Sequence, residues 1–198
     1  MATRGYRMRA RATAAEETRI AILDAAIELA YEFQRVDVPL EQVARRAGRS
    51  VQTILRHFGS RDGLIAAAIR RGTAQVVEER RATPGDIEHA LDLLVEHYER
   101  RGRFVLRLLA AGDDGDAARV TDPGRLVHRA WVEETFAPAL AHLSAARRIE
   151  LVDLLVVATD VSAWALLRLD RALPVAAVRS RMGVMVRALL AQAEETDV

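Results

Sequence analysis

Apolar positions recur at the three- and four-residue spacing of helices along almost the whole chain, and no stretch alternates as a strand would. Ile20, Leu23, Ile27 and Ala30 make one stripe and predict a first helix over 14–33. A second, short helix is expected over 40–47, ended by Gly48, a residue suited to the left-handed position after a helix. A third is expected over 51–58, with Ser50 placed to accept a backbone N–H at its start. Val51, Ile54, Leu55 and Phe58 are its apolar set, and Ile54 and Phe58, four apart, are the expected core pair. Ser60 can cap a fourth helix over 61–82, where Asp62 suits the positive end of the helix dipole. Pro84-Gly85 then breaks the pattern and marks the expected domain boundary.

Helical spacing resumes beyond the break. Helices are expected over 86–101, 103–111, 125–143 with an interruption near Pro138, 145–172, and 175–195 after Pro174. The one long loop expected runs from Gly112 through Asp113, Asp114 and Asp116 to Pro123-Gly124. Leu151, Leu154, Leu155, Ala158, Ser162, Ala165, Leu166 and Leu169 form one broad stripe, and Val178, Met182, Met185, Val186 and Leu189 another. The fold expected is all-α: an N-terminal three-helix helix-turn-helix domain followed by a helical C-terminal domain. The domain plan is a basic arm at 1–13, the helix-turn-helix domain with its linker helix at 14–83, and a second domain at 84–198.

Charge sharpens this division. The net charge is only +1. Residues 1–83 nevertheless hold 15 Arg against 10 acidic residues, while residues 84–198 hold 14 Arg against 18. A basic first part joined to an acidic remainder fits a DNA-binding domain attached to a domain that does not touch DNA. Every basic side chain is Arg, since the chain has no Lys. That choice is compatible with bidentate phosphate or guanine contacts, and equally with codon bias.

Composition also excludes chemistries. Without Cys there are no disulfides and no Cys-ligated zinc or iron–sulfur sites, which is compatible with a reducing cytoplasm, the expected location. The Arg-rich N-terminus lacks the apolar core of a signal peptide. The most apolar run, 151–169, contains Asp153 and Asp160, and an Asp near the centre of a membrane span costs roughly 2.5–3.5 kcal/mol. A buried helix in a bundle is therefore expected there, and no membrane partner. No Gly-x-Gly-x-x-Gly, P-loop, His-Glu-x-x-His or Glu-x-x-His motif is present, so neither a cofactor nor a metal is expected. The Asp-rich stretch lacks the spacing and terminal Glu of an EF-hand.

The segment 40–64 carries the chemistry. Two short helices joined by a Gly turn would place the second in the major groove of double-stranded DNA. On that helix Ser50, Gln52, Thr53, Arg56 and His57 are left for solvent or DNA. Gln can pair bidentately with adenine and Arg with guanine, each worth roughly 1–3 kcal/mol of discrimination, and Gln52 is the first choice as base reader. Arg45 and Arg46 admit two readings, phosphate contacts or a solvated face. Arg4, Arg7, Arg9 and Arg11 likewise fit either a minor-groove arm or a basic tail.

The stretch 20–68 resembles the DNA-binding domain of the TetR (tetracycline-repressor-like) family of bacterial transcription regulators. The resemblance rests on the helix 20–30, the turn Val43-Ala-Arg-Arg-Ala-Gly48, and the block Thr53-Ile-Leu-Arg-His-Phe58 with Ser60-Arg-Asp-Gly-Leu64. It implies phosphate contacts from Thr53, His57 and Arg61. Leu55 stands where many members have a phosphate-touching Tyr, and Arg49 where a small apolar residue is common; Arg49 either adds a basic contact or is exposed at the turn. The resemblance also implies a homodimer through the two C-terminal helices, with Ala158, Ser162, Ala165, Leu169, Val178, Met182, Met185 and Leu189 at the interface. It further implies a small organic effector held near Tyr98, Phe104, His128 and Trp131. The function expected is a ligand-responsive regulator, a repressor released from a palindromic operator, and not an enzyme. A helical-bundle enzyme and a protein-interaction module with a helix-turn-helix that does not bind DNA are the rival readings.

Overall fold

The computed structural model describes residues 2–112, 115 and 117–195. Among them the regular elements are all helical. The helices are α1 (Ala2–Phe33), α2 (Leu40–Ala47), α3 (Val51–Phe58), α4 (Arg61–Glu79), α5 (Ile87–Ala110), α6 (Ala118–Thr135), α7 (Ala137–Leu140), α8 (Ala145–Ala158), α9 (Val161–Ala165) and α10 (Val175–Glu195). A π turn, Leu166–Asp170, follows α9. The chain forms two compact units, 1–72 and 73–198, dividing within α4. The Pro84-Gly85 turn lies inside the second unit, where the Gly85 N–H donates to the Thr135 carbonyl at 2.8 Å.

In the first unit, α1 starts at Ala2 rather than near Ala14. The stretch Arg9-Ala-Arg-Ala12 consists of strong helix formers, so the helix continues through the expected arm. Residues 8–17 lie exposed along it, and the Asp113, Asp114 and Asp116 positions of the expected loop lie outside the described residues. The α1 core face is Ile22, Leu23, Ala25, Ala26 and Leu29, rotated from the expected stripe, so that Ile20, Ile27 and Ala30 are half-buried. This face packs on Val43, Ala44, Ile54, Leu64 and Ala67. A bidentate ion pair from Arg71 to Asp24, at 2.6 and 2.9 Å, ties the middle of α4 to α1.

The second unit is built around Leu91 and Leu94 of α5, Val132 of α6, Phe136, Leu140 of α7, Val152 and Leu155 of α8, and Val178, Met182 and Val186 of α10. Three expectations change here. First, α5 runs unbroken through Gly102, because the missing side chain makes room for the Trp164 ring. Second, α6 begins at Ala118 and carries Pro123 and Gly124 within it, so those two residues do not end the loop. Third, the expected helix 145–172 breaks at Thr159–Asp160. Asp160 caps α9 by accepting the Ser162 N–H at 2.8 Å. The Thr159 hydroxyl turns inward to the Leu155 carbonyl at 2.6 Å, and its carbonyl accepts the Tyr98 hydroxyl at 2.8 Å. No helix among the described residues is long and apolar enough to cross a membrane.

Candidate nucleic-acid interface

The helix-turn-helix is fixed by local chemistry before any packing. Gly48 ends α2 at φ 62°, ψ 38°, a left-handed conformation that a Cβ makes costly. Its N–H donates to the Arg45 carbonyl at 3.2 Å and the Arg49 N–H to the Ala44 carbonyl at 2.9 Å, the paired bonds of a Schellman cap. Ser50 then opens α3 by accepting the Thr53 N–H at 3.1 Å, and its hydroxyl bonds that of Thr53 at 2.9 Å. Ser60 opens α4 by accepting the Gly63 N–H at 3.0 Å. The two helices are therefore separated by one tight corner whose direction is set by the backbone.

One side of α3 is held down by Ile54, which is fully buried, and by the half-buried Val51 and Phe58. The Arg19 guanidinium lies 5.4 Å from the centre of the Phe58 ring. The opposite side presents Gln52, Leu55 and Arg56 together, as their spacing of three and four on a helix requires. Leu55, one of the apolar set but not of the expected core pair, is 39% exposed. Its phase places it with Gln52 and Arg56 rather than with Ile54 and Phe58, and that phase was readable in the sequence. An exposed apolar side chain between two base-reading types suits contact with a thymine methyl. His57 is half-buried with its ring 6.2 Å from that of Phe58, and Thr53 is half-buried beneath the Ser50 hydroxyl.

The cations around this face divide into free and engaged. Arg56 and Arg45 are exposed and carry no ion pair among the described residues. Arg46 is held by two carboxylates of α1, Glu28 at 3.3 Å and Glu32 at 2.5 Å. The two readings of this pair thus separate, with Arg46 bracing α2 against α1 and Arg45 left over. Arg61 is ion-paired with Asp37. Arg49 folds back at the turn, onto the Gly48 carbonyl at 3.1 Å and the Thr18 hydroxyl at 3.5 Å.

The second unit treats its predicted residues differently. Tyr98 and Phe104 are buried on α5, and Tyr98 serves the α8–α9 break. His128 and Trp131, one helical turn apart on α6, stack at 5.7 Å and 13°. Trp131 lines a cavity of about 120 Å³ with Val76, Val77, Arg80, Val127 and Ala130; Tyr98, Phe104 and His128 do not. Nothing in the sequence singles out Arg80. Its position near the end of a basic, Arg-rich segment reads as solvated, and only packing buries it.

Of the expected interface residues, Ala158, Val178 and Met182 are buried in the core of the second unit. On α10, positions 178, 182 and 186 share the face that packs on α5 and α8, which removes them from any outer surface. Ser162 and Met185 are exposed, and Ala165, Leu169 and Leu189 half-buried. Exposed apolar side chains do occur on both helices: Ile149, Leu154 and Val157 on α8, Val184 and Met185 on α10.

A buried scaffold that presents one polar face of a short helix beside free guanidiniums defines a helix-turn-helix DNA-binding domain. Residues 22–68 match the family model of the bacterial regulatory proteins, tetR family. A solved structure of a tetR-family transcriptional regulator from Streptomyces coelicolor is similar over 89% of this chain and 89% of its own, with a TM-score of 0.64 and 20% identity. At that identity the likeness speaks for the shared fold, a helix-turn-helix unit followed by a helical one. No curated protein matches the chain by sequence.

Proposed function

We propose that the chain binds a palindromic DNA operator as a homodimer, represses transcription there, and is released by a small organic molecule taken up by the second unit. The observation that carries the DNA reading is the shared exposure of Gln52, Leu55 and Arg56 on α3, with Arg45 free on α2. Gln52 would read adenine, Arg56 guanine and Leu55 a thymine methyl, while Arg45, Thr53 and His57 position the helix on phosphates. The exposed Leu154, Val157, Val184 and Met185 support a second copy as the partner of α8 and α10. A two-fold dimer would address two half-sites one helical turn apart. An effector would act only through unequal affinity for the DNA-bound and released states. The proposed setting is the cytoplasm.

Selection of random double-stranded DNA with the full chain tests this directly. A palindromic consensus is expected, together with repression in vitro from a promoter that carries it. Sedimentation should show a dimer at micromolar concentration. Val157→Glu should give a folded monomer with weaker operator binding, since two half-sites are then no longer linked. Recovery of no enriched sequence refutes the DNA reading, and a monomeric parent protein refutes the dimer.

A further inference from the structure

Arg80 is a cation without a counter-charge. Its side chain is 4% exposed. The Trp131 indole covers one face of the guanidinium, 4.5 Å from its centre. One terminal nitrogen donates to Nδ1 of His128 at 2.8 Å, and Nε has no hydrogen-bond partner. Among the described residues no carboxylate lies within ion-pair distance of it. The neighbouring Glu79 is turned to Arg101, Arg100 and His97 instead.

The network behind Arg80 keeps it charged and unrelieved. His128 accepts through Nδ1, so its proton sits on Nε2, which faces the Thr159 hydroxyl at 3.1 Å. Burial, reinforced by Arg80, pushes His128 down to about 4, and it is neutral at neutral pH. Burial pulls Arg80 down as well, but a guanidinium does not give up its proton in a protein. A buried charge with an open hydrogen-bond site and no partner is the most costly arrangement a polar group can have. This one stands in the wall of a cavity.

We propose that this cavity binds a small organic monocarboxylate, its oxygens on the Arg80 guanidinium and its apolar part against Val76, Val127, Ala130 and Trp131. The inference rests on the reading of the second unit as effector-responsive, and it names the chemical class of the effector. The volume, about 120 Å³, sets the size. A dry cavity of about 150 Å³ accepts benzene, so the enclosed part is about one ring or a short branched chain. A carboxylate fits better than a phosphate. It offers two in-plane oxygens to a guanidinium, whereas a dianion would need more donors than Arg80 provides. Exposed Glu134 at the rim opposes a second negative charge and favours a monoanion. Arg81, also at the rim, is paired with Glu78 at 3.0 Å.

The test titrates the full chain with benzoate and phenylacetate, with their neutral amides, and with inorganic phosphate. Trp131 fluorescence is read in a Trp164→Phe background, and operator release is read separately. The acids should bind roughly tenfold to a hundredfold more tightly than the amides, the range of a charge-assisted hydrogen bond. Phosphate should not compete. Arg80→Met should abolish the preference for acids while leaving the protein at least as stable as its parent, since it removes the unpaired charge; a purely structural Arg80 predicts the opposite. Should Arg80→Met fail to fold, Ala130→Phe, which narrows the cavity from an exposed wall position, must still lose acid binding. Equal binding of acids and amides, or unaltered acid binding in Ala130→Phe, overturns the proposal. A neutral compound that quenches Trp131 and releases DNA overturns it while sparing the effector reading. Acids that bind without releasing DNA leave the carboxylate site standing and refute its role as effector site.

Discussion

Gly102 lies in the middle of α5, where glycine is disfavoured by roughly 1 kcal/mol relative to alanine. Propensity alone therefore predicts that Gly102→Ala stabilises the protein. The structure predicts the reverse. A Cβ there would sit 2.6 Å from Cζ3 of Trp164 and 3.0 Å from Cε3 and Cη2. The ring has little freedom to retreat. It is 2% exposed, packs 6.0 Å from the Tyr98 ring, and its Nε1 donates to Oε1 of Glu99 at 2.8 Å. Overfilling a packed core costs about 1–3 kcal/mol, which outweighs the propensity gain. The net effect expected is a loss of up to about 2 kcal/mol. Gly124 is the control: it is also helical, but nothing lies within 4 Å of a Cβ built on it, so Gly124→Ala should stabilise by up to about 1 kcal/mol. Both Trp residues belong to the second unit, so urea unfolding followed by Trp fluorescence reports on the unit that contains both sites. Trp164→Phe, which removes the opposing ring atoms, should shrink the Gly102→Ala penalty in a double-mutant cycle. A Gly102→Ala protein as stable as its parent would refute the account of why α5 needs glycine there.

Two further outcomes follow from buried and paired charges. Burial and the nearby Arg80, Arg101 and Arg100 hold His97 down at about 3, and His128 stands at about 4, against 6.5 in the unfolded chain. Below pH 6.5 the unfolded state takes up protons that the folded state refuses, so stability is full above about 6.5 and falls by about 1.4 kcal/mol per pH unit for each histidine. The loss at pH 5 is on the order of 4 kcal/mol; His97→Gln and His128→Gln should each flatten the dependence of the urea midpoint on pH, and a midpoint constant from pH 7 to 5 contradicts the burial argument. On the DNA side, Arg45→Gln should weaken all sequences alike and lower the salt slope by about 0.9. Arg46→Gln should leave the slope unchanged and loosen α2, which melting of the first unit would detect.

The helix-turn-helix was legible in the sequence because each of its corners rests on a single residue with a local task. Gly48, Ser50 and Ser60 take the roles expected of them without reference to the rest of the chain. Helix phase was legible only in part. Leu55 belongs to the apolar set of α3 by hydrophobicity, but its spacing from Gln52 puts it outside. In the second unit the reading failed wherever tertiary contact decides. Gly102 does not end α5, because Trp164 fills the gap from another helix. Val178 and Met182 satisfy a dimer stripe and a core stripe equally well, and only the packing of α10 on α5 and α8 selects the core. Arg80 carries no sequence mark that separates it from the exposed Arg81 beside it.

The Thr159 corner constrains how this chain can change over time. Its hydroxyl meets His128, its carbonyl accepts Tyr98, and His128 in turn receives Arg80. Loss of the hydroxyl strands an imidazole N–H, and loss of the imidazole strands a guanidinium, each at the cost of an unsatisfied buried group. Drift at these four positions is therefore linked. Descendants that abandon Thr159 or His128 alone must abandon the neighbour left stranded in the same step or pass through a weakened protein. Arg80, whose own loss removes an unpaired charge, should be the first of the four to go, and Thr159 and His128 should persist in relatives wherever it is kept.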